Sequence, residues 1–259
     1  NKKDSIWTWY TNKGTTDMKG NFVKDLQDGK WEYWYPTGEK SYEAYFSKGL
    51  KSGDWTYWYK DGSVFKKCKY AEDLKEGQWK TWYENGTLLM DGKYVADKEE
   101  GEWLNYWEDG KLKNSAFFKK GELNGPWKSY FPDGTPKLIG AYKTNFKNGT
   151  WTEYFSNGNP KDVISYKVVE KETKMNYGVM KGHKVLQSVK HGKSISYSSK
   201  DFKKTEEGTY KNGEKHGTWT DYYPGGTYPA VVNNYKNGLQ DGKMLQYTRR
   251  GELTTEINY

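Results

Sequence analysis

The chain has 259 residues, of which 34% are hydrophobic and 18% aromatic. That leaves too little aliphatic material for a large globular core, so aromatic side chains, each burying about 150–250 Å², must supply most of the stabilisation. The formal net charge of +8 favours acidic partners, but Lys and Asp/Glu are interspersed with no block of five or six like charges, the pattern of a solvated surface. No apolar run approaches the 18 residues of a membrane-spanning helix, and the single cysteine, Cys68, excludes an internal disulfide framework.

In chain order, the first unit is degenerate: Trp9-Tyr10 fits the aromatic pair of the later copies, but its leading glycine is missing. Then Gly-x-Trp recurs six times at a constant 24-residue interval, at Gly29-Lys30-Trp31, Gly53-Asp54-Trp55, Gly77-Gln78-Trp79, Gly101-Glu102-Trp103, Gly125-Pro126-Trp127 and Gly149-Thr150-Trp151. A fixed period of this size means a stacked array in which no unit buries its own apolar face. Between aromatic runs, Asp61-Gly62, Asn85-Gly86, Asp109-Gly110, Asp133-Gly134 and Asn157-Gly158 recur in register. Each reads as the two-residue type I′ loop of a β-hairpin.

That loop predicts the pairing. Trp55 falls opposite Cys68, Trp31 opposite Ala44, Trp79 opposite Gly92, Trp103 opposite Ala116 and Trp127 opposite Gly140. Each large indole is thus expected to lie across the small residue of its own hairpin, which makes Cys68 an occupant of a small slot rather than a reactive thiol. Side-chain alternation puts Trp55, Tyr57, Tyr59, Lys66, Cys68 and Tyr70 on one aromatic-rich, buried face. The second-strand aromatic recurs at Phe22, Phe46, Tyr70, Tyr94, Phe118, Tyr142 and Tyr166. The opposite face is polar except for one row, Trp34, Trp58, Trp82, Tyr106, Tyr130 and Tyr154, the candidate partner-binding residues. Stacking between neighbouring hairpins is the competing explanation of that row.

Beyond residue 170 the pattern wears. Thr173 stands where glycine is expected and Met175 where tryptophan is expected, with Gly182 closing the turn; the next copy starts near Gly192. Regularity returns at Gly217-Thr218-Trp219, and Gly242, Met244, Tyr247 and Gly251 form a weaker last copy. The expectation is an all-β, elongated, single-layer antiparallel array of about eleven stacked hairpins. It forms one domain over 1–259, with regular repeats in 1–170, a degenerate stretch or bend in 171–204, and C-terminal repeats and cap in 205–259.

The unit Gly-x-Trp-x-x-aromatic-aromatic-x-Asp/Asn-Gly, clearest at Lys147 to Gly158, resembles the MORN-repeat family, and more closely the bacterial MORN-variant repeats often labelled as toxin–antitoxin components. The resemblance implies a scaffold or a protein- or membrane-binding module. Its antitoxin label implies a toxin partner, and no catalytic residue comes with it.

No catalytic motif stands out. His183, His191 and His216 lack zinc-ligand spacing, and His191 and His216 sit in the slot before a glycine as turn residues. No Walker loop or nucleophile elbow is present, and scattered carboxylates such as Glu99-Glu100 fall in predicted loops. The expectation is therefore a non-catalytic scaffold without cofactor or metal, binding a protein partner, in one version an antitoxin or immunity-type neutraliser. The alternative is anionic membrane lipid or cell-wall glycan, and nucleic acid ranks last. Against lipid, the lysines are expected to form no ladder at the repeat period: the slot two before the repeat tryptophan is always glycine, and the slot one before it is mixed. Self-association through end hairpins is a further expectation. The start at Asn1 without Met favours a cell-envelope or secreted protein over a cytoplasmic one.

Overall fold

The computed structural model describes residues 2–172 and 184–259. Its contacts fall into two compact units, 1–122 and 123–259. All described regular structure is β-strand. The first unit holds β1 (Ile6–Tyr10), β2 (Thr16–Val23), β3 (Leu26–Trp34), β4 (Lys40–Ser47), β5 (Leu50–Trp58), β6 (Val64–Ala71), β7 (Leu74–Trp82), β8 (Leu88–Val95), β9 (Lys98–Tyr106) and β10 (Leu112–Lys119). The second holds β11 (Glu122–Tyr130), β12 (Pro136–Lys143), β13 (Phe146–Tyr154), β14 (Pro160–Glu172), β15 (Lys184–Tyr197), β16 (Lys204–Lys211), β17 (Glu214–Tyr222), β18 (Pro229–Lys236), β19 (Leu239–Tyr247) and β20 (Leu253–Asn258). Within each unit every strand pairs antiparallel with its chain neighbours, giving an open meander.

The predicted cross-strand pairs are those observed: Trp31 with Ala44, Trp55 with Cys68, Trp79 with Gly92, Trp103 with Ala116 and Trp127 with Gly140. The loop that makes them differs from the prediction. At Tyr59–Ser63, the Gly62 N–H donates to the Tyr59 carbonyl and the Tyr59 N–H to that of Ser63. Of Asp61-Gly62 only the glycine is left-handed, at φ 86°. This is a type I turn closed by a glycine bulge, and the extra residue is absorbed where the register shifts between Tyr57 and Trp58. The type I′ turns lie on the other connection, where both central residues have positive φ: Lys48-Gly49 at 51° and 85°, Glu72-Asp73 at 50° and 68°, Ala96-Asp97 at 47° and 66°.

The described strands make ten hairpins where about eleven were expected. β14 and β15 are 13 and 14 residues long, against 8 or 9 in the regular repeats. They pair with each other as far as Glu172 and Lys184, beyond the level reached by their outer neighbours. Thr173, Met175, Gly182 and His183 lie outside the described residues.

The core is the aromatic face. Trp31, Trp55, Trp79, Trp103, Trp151 and Trp219 are buried, as are Ala44, Cys68 and Ala116. Rings alternate edge to face across the strands: Phe46 to Trp55 at 5.3 Å, Trp55 to Tyr70 at 5.1 Å, Tyr70 to Trp79 at 5.5 Å and Trp79 to Tyr94 at 5.1 Å. The second-strand aromatic fills the gap between successive tryptophans, so every ring in this series meets its neighbours edge-on, the geometry their quadrupoles favour.

The small slot serves a different indole from the one predicted. A Cβ on Gly20, Gly92, Gly140 or Gly208 would lie 2.0–2.2 Å from Cδ2 of Trp31, Trp103, Trp151 or Trp219, each the tryptophan of the following hairpin. The indole N–H confirms the direction. Trp31 Nε1 donates to Asn21 O, Trp55 Nε1 to Tyr45 O, Trp151 Nε1 to Ala141 O and Trp219 Nε1 to Thr209 O, at 3.0–3.2 Å. A left-handed glycine two before each tryptophan (Gly53 at φ 65°, Gly77 at 66°) accompanies a bulge that carries the indole back over the preceding hairpin.

One row of turns is stitched to the previous repeat and the other to the following one. The Asp97 N–H donates to Lys75 O while Lys75 N–H donates to the Asp97 carboxylate at 2.8 Å. On the other side the Tyr59 hydroxyl donates to Trp82 O at 2.8 Å, as Tyr35 does to Trp58 O.

Candidate binding surface

The predicted row lies on the polar face. Trp34, Trp58, Trp82 and Tyr106 in the first unit, and Tyr130 and Tyr154 in the second, are all half-buried. None of them makes a ring–ring contact among the described residues, whereas every core tryptophan does. The stacking explanation of the row therefore does not apply. Equivalent positions in successive hairpins are two strands, roughly 9.5 Å, apart, too far for rings that interact at about 4.5–7 Å. On the core face an aromatic bridges that distance. On this face the residue between Trp34 and Trp58 is Lys40, its Nζ 5.7 Å from the Trp58 ring, and the later ones are aliphatic: Val64 opposite Trp58, Leu88 opposite Trp82, Leu112 opposite Tyr106, and Pro136 and Pro160 opposite Tyr130 and Tyr154.

Beside this band, Asp54, Thr56, Lys67, Gln78, Lys80 and Trp82 line an open concavity of about 550 Å³. Asp91 holds Lys80 at 2.9 Å and accepts from Gln78, leaving Lys67 exposed at the rim. Two repeats earlier, Lys30 and Lys40 bracket Glu32 and Glu43 at 2.6–3.4 Å. These hydrogen bonds hold the Glu32 carboxyl below its ordinary range, with that from Lys40 leading.

On the core face, burial pushes the Cys68 thiol up to about 11. The thiolate that a nucleophile or metal ligand requires is thereby suppressed. His191 Nδ1 accepts the Asn212 N–H at 3.3 Å, capping the next turn as Asp28 does for Lys48. His216 Nδ1 is buried without a hydrogen-bond partner among the described residues. Among those residues no group of three or more His, Cys, Asp or Glu is placed to hold a metal ion, and no helix is long and apolar enough to cross a membrane.

Sequence reasoning missed a lysine row. Lysine fills the slot four residues before the tryptophan in three of the six regular copies, at Lys51, Lys75 and Lys147, with Gln27, Glu99 and Leu123 in the others, and again at Lys215. Lys51, Lys75, Lys147 and Lys215 place Nζ 3.9–5.6 Å from the rings of Trp55, Trp79, Trp151 and Trp219, and also over Tyr70, Tyr94, Tyr166 and Tyr235. The row is a lid on the core by cation–π contact, and the spacing carried the signal.

Charge is unevenly divided. Residues 1–122 contain 21 lysines and 21 acidic residues; residues 123–259 contain 21 Lys/Arg and 13 acidic residues, so the whole excess of eight lies in the second unit.

No curated protein matches the chain. Two of the solved structures that match are crystal structures of larger assemblies. One, a crystal structure of TcdB2-TccC3-Cdc42, is 9% identical over 96% of this chain with a TM-score of 0.16; the other, of TcdB2-TccC3, is 9% identical over 98% with a TM-score of 0.19. This chain spans 16% of either, and at such scores neither carries an argument. The MORN repeat variant family model matches residues 27–48, 75–96, 99–120, 123–144 and 147–167. Each match runs from the first strand of a hairpin through its second, ending at or beside the type I′ turn or, in the last case, within β14. MORN-variant repeats are thus present in these five segments.

Proposed function

We propose that the chain is a non-catalytic scaffold that binds a protein partner along the aromatic–aliphatic band of its polar face. The observation that supports this is the contrast between the faces. Core rings are sealed by their neighbours, whereas Trp58, Trp82 and Tyr106 have no ring partner among the described residues and sit on a paired, stitched backbone beside an open concavity. Half-exposed Trp and Tyr on a rigid support are the anchors from which interfaces draw most of their energy. Neutralisation of a toxin is a special case of this reading, with the same surface and the same test.

The test is affinity capture with the whole chain and its Trp58→Ala/Trp82→Ala variant, both checked for native circular dichroism. A stoichiometric protein retained through a salt wash by the parent and lost from the folded variant supports the reading. An unfolded variant makes the row structural and sinks it. Anionic lipid or wall glycan is the second reading, favoured by the charge excess of residues 123–259. Liposome sedimentation that fades with salt, or salt-insensitive retention on cell-wall material, would move the assignment there.

A further inference from the structure

Within each unit the regular interior strands leave no described backbone edge open for more than a residue or two, because each is flanked on both sides along its length. β14 and β15 break this rule. From Lys167↔Val189 to Glu172↔Lys184 they pair only with each other. β13 leaves β14 at Tyr166, and β16 leaves β15 at Gly192. The result is a two-stranded ribbon with two unpaired edges among the described residues, and such edges are templates for a further strand.

The two edges are not equivalent. β14 carries Lys167, Glu170, Lys171 and Glu172 along its six outer residues, the charged composition that blunts an edge. β15 reads Val185-Leu186-Gln187-Ser188-Val189, five residues without a charge, and Val185 and Leu186 are exposed. The direction of its backbone groups follows from one hydrogen bond. The Gly213 N–H, in the turn after β16, donates to Lys190 O at 2.8 Å. Backbone groups alternate sides along a strand. Leu186 and Ser188 therefore turn their N–H and C=O to the β16 side, where no described strand accompanies them.

A strand placed there would continue the line of β16. Its side chains on one face would enter a notch of about 400 Å³ lined by Lys167, Val169, Lys171, Gln187, Val189 and Asn212. Glu170 also lines the notch but is paired with Lys184 at 3.2 Å, so Lys167 and Lys171 set its charge beside Val169 and Val189. The surrounding unit holds the whole positive excess of the chain.

We infer that the outer edge of β15 at Val185–Val189 accepts an extended peptide segment of a partner protein as an added strand, and that this segment alternates apolar and acidic residues. Main-chain hydrogen bonds to Leu186 and Ser188 supply the docking, and the notch selects the side chains. This rests on the protein-binding reading but uses a different surface from the aromatic band, so the two fail separately.

The probe is a short capped peptide of alternating glutamate and valine, with a lysine–valine peptide as its counterpart, titrated into the whole chain at low salt. Binding of the glutamate peptide at least tenfold tighter than the lysine peptide, with slowed amide exchange at Leu186 and Ser188, is expected. Leu186→Pro removes an outward N–H while sparing the ladder to β14, a position at which proline is tolerated; it should weaken binding at least tenfold. Lys167→Glu/Lys171→Glu leaves the backbone untouched and should weaken it several-fold. Should Leu186→Pro fail to fold, the double charge variant and the exchange pattern decide. Absence of binding, equal binding of both peptides, or protection located elsewhere overturns the inference. Loss of partner capture in Trp58→Ala/Trp82→Ala with the peptide still bound supports both readings as separate surfaces.

Discussion

The Trp31 indole occupies the space that a Cβ on Gly20 would need, 2.0 Å from Cδ2. The same relation holds between Gly140 and Trp151 at 2.2 Å. Where the slot residue is larger, at Ala44 and Cys68, the following indole is still accommodated, with its Nε1 3.2 and 3.3 Å from the next carbonyl. Gly140→Ala should therefore be tolerated at a cost of about 1–3 kcal/mol, the usual range for overpacking, and Gly140→Val should cost more. Urea denaturation followed by tryptophan fluorescence measures both. Equal stability of all three proteins would mean that the slot is not filled as described.

Asp97 combines a left-handed φ of 66° with a carboxylate that accepts the Lys75 N–H at 2.8 Å. Asp97→Ala loses the acceptor and keeps the strained backbone, so a loss of roughly 1–3 kcal/mol is expected. Asp97→Asn should be close to neutral, because Asn145 performs the same task for Leu123 N–H at 2.7 Å. Thermal melts of the two variants should separate clearly, and coincident melts would mean that the cap contributes nothing.

Much of the fold was legible because hairpin register is a counting problem. Once a turn centre is fixed, Trp55 must meet Cys68. The turn type was not legible, since Asp-Gly serves both a type I′ loop and a type I turn closed by a glycine bulge, and the bulge restores the same count two residues later. The true type I′ turns escaped because several, such as Glu72-Asp73 and Ala96-Asp97, contain no glycine. The slot assignment failed for a simpler reason. At a 24-residue period, a small residue 13 positions after one tryptophan is always 11 before the next, and spacing alone cannot choose between them. The Trp58 row was visible as a pattern, but its lack of stacking needed the two-strand distance and the aliphatic residues between.

Alkaline pH tests the aromatic layer as a whole. Burial raises the Tyr42, Tyr57, Tyr70 and Tyr142 hydroxyls above their ordinary value near 10, and raises Tyr94 and Tyr222 to about 12. Their folded values lie above the unfolded one, so the stability they contribute is complete below about pH 10 and is lost as pH climbs from there towards about 12 and beyond. Lys66 acts in the opposite sense, its amine being held down by burial, but it stands alone against these tyrosines. Phenolate absorbance and far-ultraviolet circular dichroism should change together above about pH 10. Tyrosines titrating freely near their ordinary value with the fold intact would contradict their burial.

Cys68 offers a local probe. With only 3% of its surface exposed and its thiol pushed up to about 11, it should resist an aromatic disulfide reagent at neutral pH and react once denaturant opens the sheet. The labelling rate at sub-denaturing concentrations then reports opening of the β5–β6 hairpin. Fast labelling of the native chain would place the thiol outside the core.

Because each indole seats on the hairpin before it, the working contact is a junction between consecutive copies rather than a property of any one copy. Removing or duplicating a block of 24 residues at equivalent points leaves every junction chemically as it was. A whole block therefore adds or removes one repeat and one junction with its share of the stability, whereas a length change of any other size would strand a tryptophan over the wrong neighbour. Surface area can thus be tuned in whole steps, and selection on reach need not touch the packing.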